Sequence, residues 1–525
     1  MDGDPGRILA ALRGPRAYPR GADRVELIET HISWVFLAGD YAYKIKKPVA
    51  LGFLDFSTLA ARRLYCEEEL RLNRRTAPGL YLGVVPISEG PGGIRIGGEG
   101  EPLEYAVEMR RFPQEALADS LARRGELGEA HIDAIAAAAA AFHAAIPAAP
   151  EESGYGSPER VTAPALANFE RLDALVSGAA EKQALGELRA WTQREGGRLR
   201  EAFEARRREG FVRECHGDLH LGNIAFIDDR PVLFDCIEFD PALRWIDVMN
   251  EVAFLVMDLL EHGLTAAAWR LLNAYLEATG DYAGVRVLRY YLVYRAMVRA
   301  MVARIREQQP GSGAAHARAH REFGTYLALA SSLAPTARPA LVLMHGLSGS
   351  GKTAVSQRLL ERLGAVRVRS DVERKRLHGL AAGARTGAEL RGGIYSPEGT
   401  RRTYERLARA ARDIVESGYV AVVDAAFLRR AERDAFRSLA RELDAPFLIA
   451  TCEAPEDVLR ERVARREAGQ SDASEAGLTV LGSQLETQEP LGGDESGRNV
   501  RIETGRGDAA TDAGVAEVAA RLEAG

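Results

Sequence analysis

Two stretches of the 525-residue chain hold residues whose types and spacing suit phosphoryl transfer. The first reads His216-Gly217-Asp218-Leu219-His220-Leu221-Gly222-Asn223, followed by the apolar run Val232-Leu233-Phe234 and then Asp235. Transfer of a γ-phosphoryl group needs a carboxylate near the acceptor hydroxyl and oxygen ligands for Mg²⁺, and kinase catalytic loops place an Asn ligand five residues after the catalytic Asp. Asp218 and Asn223 satisfy that interval, and Asp235 occupies the place of a second metal-binding carboxylate. The second stretch, Gly346-Leu347-Ser348-Gly349-Ser350-Gly351-Lys352-Thr353, fits the phosphate-binding pattern G-x-x-x-x-G-K-T. In that pattern backbone N–H groups curl around phosphate oxygens, Lys352 reaches the β and γ phosphates, and Thr353 ligates Mg²⁺.

Each stretch needs supporting charges. Upstream of the first, Tyr41 to Lys47 alternates as a strand, so Lys44 and Lys46 share a face and either could meet ATP phosphates; Lys44 is the choice. Glu67, Glu68 and Glu69 on the next helix compete for the ion pair with that lysine. Glu68, which shares a helical face with Tyr65 and Leu72, is expected to point inward. Glu29 to Ser33 would cover the phosphates without a glycine triplet, Glu108 to Arg110 would contact adenine through the backbone, and Glu238 is a further acidic candidate. Around the second stretch stand Asp371 and Arg374, then Asp424 at the end of an apolar strand as a contact for Mg²⁺ or substrate. Arg462, Arg465 and Arg466, followed by residues 469–473, read as a lid bringing positive charge over the transferring group.

The elements that position these groups come from periodicity. A hairpin is expected around Gly39-Asp40, then a helix from Leu59 to Arg75 capped by Ser57 or Thr58, then strands at Tyr81 to Ile87 and Tyr105 to Met109. Together they predict a small antiparallel sheet carrying one helix. A mainly helical region runs to about residue 335, interrupted by the island 212–240. After a linker, Leu333 to Pro339, strands at Ala340 to Met344, Val366 to Arg369, Val420 to Val423, Phe447 to Thr451 and Val500 to Glu503 alternate with helices, which favours a parallel sheet covered on both faces.

On the island motif the first half resembles the aminoglycoside phosphotransferase family, relatives of protein kinases in which His-Gly-Asp-x-His-x-x-Asn replaces the protein-kinase loop. The resemblance implies a two-lobed α+β kinase-like fold, Asp218 as catalytic base, and Asn223 and Asp235 as Mg²⁺ ligands. On Gly346 to Thr353 and Asp371 the second half resembles P-loop kinases, the group with gluconate kinase, zeta toxins and polynucleotide kinase. That resemblance implies a three-layer α/β fold in which Asp371 accepts the acceptor's proton. The order of the halves resembles bacterial bifunctional aminoglycoside phosphotransferase/ATP-binding proteins. The expected domains are residues 1–335 and 336–525, with ATP and Mg²⁺ as cofactors and small hydroxyl-bearing molecules as acceptors.

Composition sets limits on this reading. A net charge of −6 argues against generic nucleic-acid binding. Four scattered cysteines make neither a disulfide framework nor a Cys-x-x-Cys metal site, and no apolar run suggests a signal core or a membrane span, so a cytoplasmic location with no membrane partner is expected. The rival readings are a nucleotide-binding regulator with little turnover and a kinase acting on a macromolecule.

Overall fold

The computed structural model describes residues 4–50, 54–308, 312–335, 338–382, 384, 393–469 and 477–524. By packing the chain forms two compact units, residues 1–161 with 203–258, and residues 162–202 with 259–525.

In the first unit, β1 (Val25–Glu29), β2 (Ser33–Ala38), β3 (Tyr41–Lys46), β4 (Tyr81–Gly90), β5 (Gly93–Ile96) and β6 (Pro102–Arg110) form one antiparallel sheet in the order β1-β2-β3-β6-β4-β5. The strands β1 and β5 add to those expected. Both are half-exposed edge strands, where burial imposes little alternation on the sequence. Alternation along β3 turns Tyr43 and Ile45 into one core, shared with Phe36, Ile87 and with Ile8 and Leu12 of the helix Pro5–Leu12. The opposite face, with Ala42, Lys44 and Lys46, meets the helix Leu59–Asn73, whose Cys66 packs in a core with Ala42, Tyr81 and Val107. Thr58 caps that helix, its hydroxyl accepting the Ala61 N–H at 3.1 Å.

Beyond the helix Glu129–Ala145 lie β7 (Val212–Glu214), β8 (Ile224–Ile227), β9 (Arg230–Leu233) and β10 (Trp245–Asp247). The hairpin β8–β9 carries the 216–223 loop at its entrance and Asp235 just past its exit, which is how the chain folds the two ends of the motif together. The ribbon β7–β10 leads into the helix Val248–Glu261.

In the second unit, β11 (Ala340–His345), β12 (Val366–Arg369), β13 (Val420–Asp424), β14 (Phe447–Glu453) and β15 (Asn499–Glu503) are all parallel, in the order β12-β13-β11-β14-β15. The sheet is sandwiched as expected. Val342 and Met344 of the wholly buried β11 pack with Val355 and Leu359 of the helix Lys352–Leu363 and with Val515 and Val518 of the helix Asp508–Ala524. The amphipathic helices Pro397–Glu416 and Arg430–Glu442 cover the other face. Strand order reverses at β11, so a crevice opens at the carboxyl ends of the strands, the usual ligand position in open α/β sheets.

The helices Thr265–Thr279, Val285–Glu307 and Gly313–Leu333 belong to this second unit, so the 333–339 linker lies inside it. Trp269 packs against the sheet's core, and Asn273 caps the edge strand, its Nδ2 donating to the Ala365 carbonyl at 2.9 Å and its Oδ1 accepting the Arg367 N–H at 2.7 Å. Backbone groups at that edge are thereby satisfied by a side chain. Among the described residues no helix is long and apolar enough to cross a membrane.

Candidate active sites

Lys44 is paired with a carboxylate of the following helix, but with a different glutamate from the one expected. Its Nζ donates to Glu69 Oε1 at 2.9 Å and to Asp235, while Lys46 Nζ donates to Glu69 Oε2 at 2.7 Å and to Glu238. Glu68 instead receives Arg71 and Arg244. The correction follows from the helix: its buried stripe runs Arg62, Cys66, Glu69, Asn73, and Glu68 sits one position off it. Burial works against every charge in this group, yet Lys44 and Lys46 pull Glu69 down to about 2, and the carboxylates hold both lysines above their ordinary range. Glu238 is engaged by Lys46 and buried, so it is an internal partner of that lysine and not a wall of the cleft.

Lys44, Asn223 and Asp235 line one cleft of ≈ 850 Å³, open solvent included, whose apolar walls include Val35, Leu37, Leu80, Met109 and Phe234. Thr30, from the segment expected to cover phosphates, lines the cleft together with Ile28 of β1. Of the expected adenine contacts, Met109 from the middle of that segment and Arg110 line the cleft. Glu108 does not; its side chain accepts from Arg20 and Tyr43. The Arg110 and Arg111 N–H groups are already bonded to Leu80 and Asp40 carbonyls.

The loop bearing Asp218 is held from below. Glu251 and Asp258, both buried on the helix Val248–Glu261, accept the backbone N–H groups of Gly217 at 2.7 Å and Leu221 at 2.9 Å. His143 Nε2 lies 2.9 Å from Glu251; this contact and the Gly217 bond keep the Glu251 carboxyl down at about 2 against its burial. Gly217 has φ +89°, and a Cβ there would stand 2.9 Å from the Leu243 carbonyl, so glycine is required. Asn223 Nδ2 donates to the Asp218 carbonyl at 2.9 Å and to its Oδ2 at 3.2 Å, and His220 Nε2 lies 3.6 Å from that oxygen. Asp218 is thus oriented while its carboxylate stays 39% exposed. Asp235 holds φ +67°, sparsely populated for a non-glycine residue, with its N–H donated to Tyr81 Oη at 3.2 Å and that of Cys236 to Asn73 Oδ1 at 2.9 Å.

At the second site the phosphate loop joins β11 to its helix. Gly346 has φ +139°, and a Cβ would come within 2.6 Å of the Cys452 carbonyl. Lys352 Nζ donates to the carbonyls of Gly346 and Leu347, both at 2.8 Å, and burial lowers its pKa. Ser348, Gly349, Gly351, Lys352 and Thr353 line a cleft shared with Asp371, Arg374 and Asp424. Asp424 is buried, and its Oδ2 accepts the Ser356 hydroxyl at 3.2 Å. Arg374 is held by the Ile394 carbonyl and Thr400 Oγ1 and stacks over Tyr395.

Of the three arginines expected to form a lid, two border the cleft. Arg462 and Arg466 line the cleft, and Arg462 Nη2 donates to the Thr504 carbonyl at 2.7 Å. Arg465 does not line it: 75% exposed, it pairs with Glu461 on its own helix. Residues four apart share a helix face, which joins 462 to 466, and Arg465 is turned about 100° from its neighbour. Residues 470–473 of that expectation lie outside the described residues.

Both clefts offer the hard oxygen donors that suit Mg²⁺: the Asn223 carbonyl and Asp235 carboxylate in one, the Thr353 hydroxyl and Asp424 carboxylate in the other. The donor sets fit the ion.

Residues 59–288 match the sequence model of the phosphotransferase enzyme family and residues 341–491 that of an AAA domain. Relatives described as uncharacterized proteins of Mycobacterium bovis and Mycobacterium tuberculosis are 32% identical over 457 residues, covering 86% of this chain and 88% of theirs. Among solved structures, a gluconokinase from Sinorhizobium meliloti 1021 is 23% identical, covering 36% of this chain and 97% of that one, with TM-score 0.26. A choline/ethanolamine kinase family protein from Mesorhizobium loti is 14% identical, covering 62% and 99%, with TM-score 0.35. With both kinase motifs set in their expected folds, the chain is a phosphotransferase and belongs to the family of tandem proteins that join an aminoglycoside-phosphotransferase-like domain to a P-loop kinase domain.

Proposed function

We propose that each module transfers the γ-phosphoryl group of ATP, with Mg²⁺, to a hydroxyl of a small polar molecule, the first module acting on a sugar or aminoglycoside-like compound. The observation that carries this reading is the convergence of Lys44, Asn223 and Asp235 on one cleft beside an oriented Asp218. In the first module Lys44, fixed by Glu69, meets the nucleotide phosphates, and Asn223 and Asp235 would hold Mg²⁺, which neutralises charge on the transferring group. Asp218 accepts the acceptor's proton as the acceptor oxygen bonds to the γ phosphorus and the bond to the β–γ bridging oxygen breaks, releasing ADP. In the second module Lys352 and the loop's backbone N–H groups bind the phosphates, Thr353 and Asp424 would hold Mg²⁺, Asp371 takes the proton, and Arg466 adds positive charge. A pure sensor has no need of a positioned base, which favours turnover. The test is ADP release by the full-length protein against sugars, aminoglycosides, nucleosides and oligonucleotides. Release dependent on a small polyol supports the reading; release only with oligonucleotides, or none with any acceptor, defeats it.

A further inference from the structure

The second cleft rests on a carboxylate that precedes the P-loop domain in the sequence. Glu277, near the end of the helix Thr265–Thr279, accepts Arg369 Nη1 on Oε1 at 2.7 Å and Arg367 Nη2 on Oε2 at 3.1 Å. Both arms lead to Asp424. Arg367 Nη1 donates to Ser356 Oγ at 3.2 Å, and Ser356 Oγ donates to Asp424 Oδ2 at 3.2 Å. The same guanidinium reaches the Thr353 carbonyl at 3.4 Å. Arg369 lines the cleft, its Nε 3.9 Å from Asp424 Oδ2. Arg367 and Arg369 are 7% and 13% exposed, and Glu277 is 19% exposed, so water screens these charges little. Without Glu277 the positive charge beside Asp424 would lose this carboxylate's compensation, and a carboxylate drawn into pairing with Arg369 is a poorer ligand for a cation.

We propose that Glu277 is a positioning residue of the P-loop site: by neutralising Arg367 and Arg369 it keeps Asp424 directed at the cation, so a helix within the phosphotransferase-family stretch is a working part of the second kinase. The proposal rests on the P-loop reading given above, in that it takes Asp424 as a cation ligand. It goes beyond it in assigning the site a partner that the P-loop sequence does not contain.

The experiment titrates Mg²⁺ into the full-length protein with ADP and reads, by calorimetry, the nucleotide site that Lys352→Ala removes. Glu277→Gln should raise the Mg²⁺ concentration at half-saturation by about tenfold, the scale for losing a partner that orients a metal ligand. Adding Arg369→Gln should recover most of that loss, because the charge competing for Asp424 is gone. Asn273→Ala, which removes only the edge-strand cap, should lower Tm and leave the Mg²⁺ midpoint in place. If Glu277→Gln behaves like Asn273→Ala, or if the Glu277 and Arg369 substitutions simply add, the proposal is overturned. A chain that transfers no phosphoryl group but shows the Mg²⁺ shift refutes the kinase reading and supports this one, whereas a chain lacking Lys352-dependent ADP binding refutes both.

Discussion

Glu69 Oε1 lies 2.9 Å from Lys44 Nζ, and the Glu69 side chain has no solvent exposure. One carboxylate therefore serves two lysines, since its other oxygen takes Lys46 at 2.7 Å. Glu69→Gln should cost on the order of 3–5 kcal/mol, the scale for breaking a buried pair, and should abolish turnover at the first site. Glu68→Gln, whose partners Arg71 and Arg244 also bind Glu214, should cost about 1 kcal/mol or less and leave turnover intact. Thermal melts and ADP release on the two variants decide between them; equal losses would return Glu68 to the site.

Asp218→Asn tests the base. Asn keeps the shape that Asn223 and His220 orient but cannot accept the proton, so turnover at the first site should fall by roughly 10²- to 10⁴-fold with nucleotide affinity nearly unchanged. Undiminished turnover would remove Asp218 from the mechanism.

At the second site Lys352→Ala should eliminate one of two nucleotide-binding events seen by calorimetry and spare the one that depends on Lys44. Arg466→Ala should slow transfer at that site, whereas Arg465→Ala should match the parent protein within error, because its side chain faces solvent and pairs with Glu461 on its own helix. A defect in Arg465→Ala as large as that in Arg466→Ala would show that the lid engages through the other face.

Acid should loosen the two units in sequence. His345, at the end of β11, is pushed down to about 4 by burial and by the neighbouring Arg433 and Lys352 charges. The unfolded chain therefore takes up a proton that the folded chain refuses. The stability this group contributes is complete above about pH 6.5 and declines as pH falls toward 4. Glu69 and Glu251, held at about 2, contribute stability that is complete above the ordinary glutamate value and is lost only as pH falls from about 4.5 toward 2. Hydrogen exchange should accordingly show β11 losing protection between pH 7 and 5 while β3 keeps its own, and His345→Gln should flatten the response of β11. Parallel losses in β3 and β11 would contradict the assignment.

The two motifs were legible because each is contiguous and bound to local backbone geometry. Gly346 to Thr353 must curl between a strand and a helix, and the interval from Asp218 to Asn223 spans a single loop, so spacing alone determined which groups could bind phosphate, hold an ion or take a proton. The parallel sheet was equally legible, since five apolar runs separated by helices have few ways to pack. The supports were a different matter. Choosing Glu69 over Glu68 required knowing which stripe of the helix Leu59–Asn73 meets the sheet, and the buried stripe includes Arg62 and Glu69, whose charge hides it from hydrophobic periodicity. Arg465 failed for the same reason, a rotation about a helix axis that composition does not reveal. Glu251 and Asp258 lie far along the chain from the loop they hold, as Glu277 does from the two β12 arginines it pairs with, and nothing in their local sequence marks them. Contacts of that kind exist only once distant segments pack, so the groups with chemistry suited to phosphoryl transfer could be named from the sequence, while the carboxylates that contact their surroundings were decided by the tertiary structure.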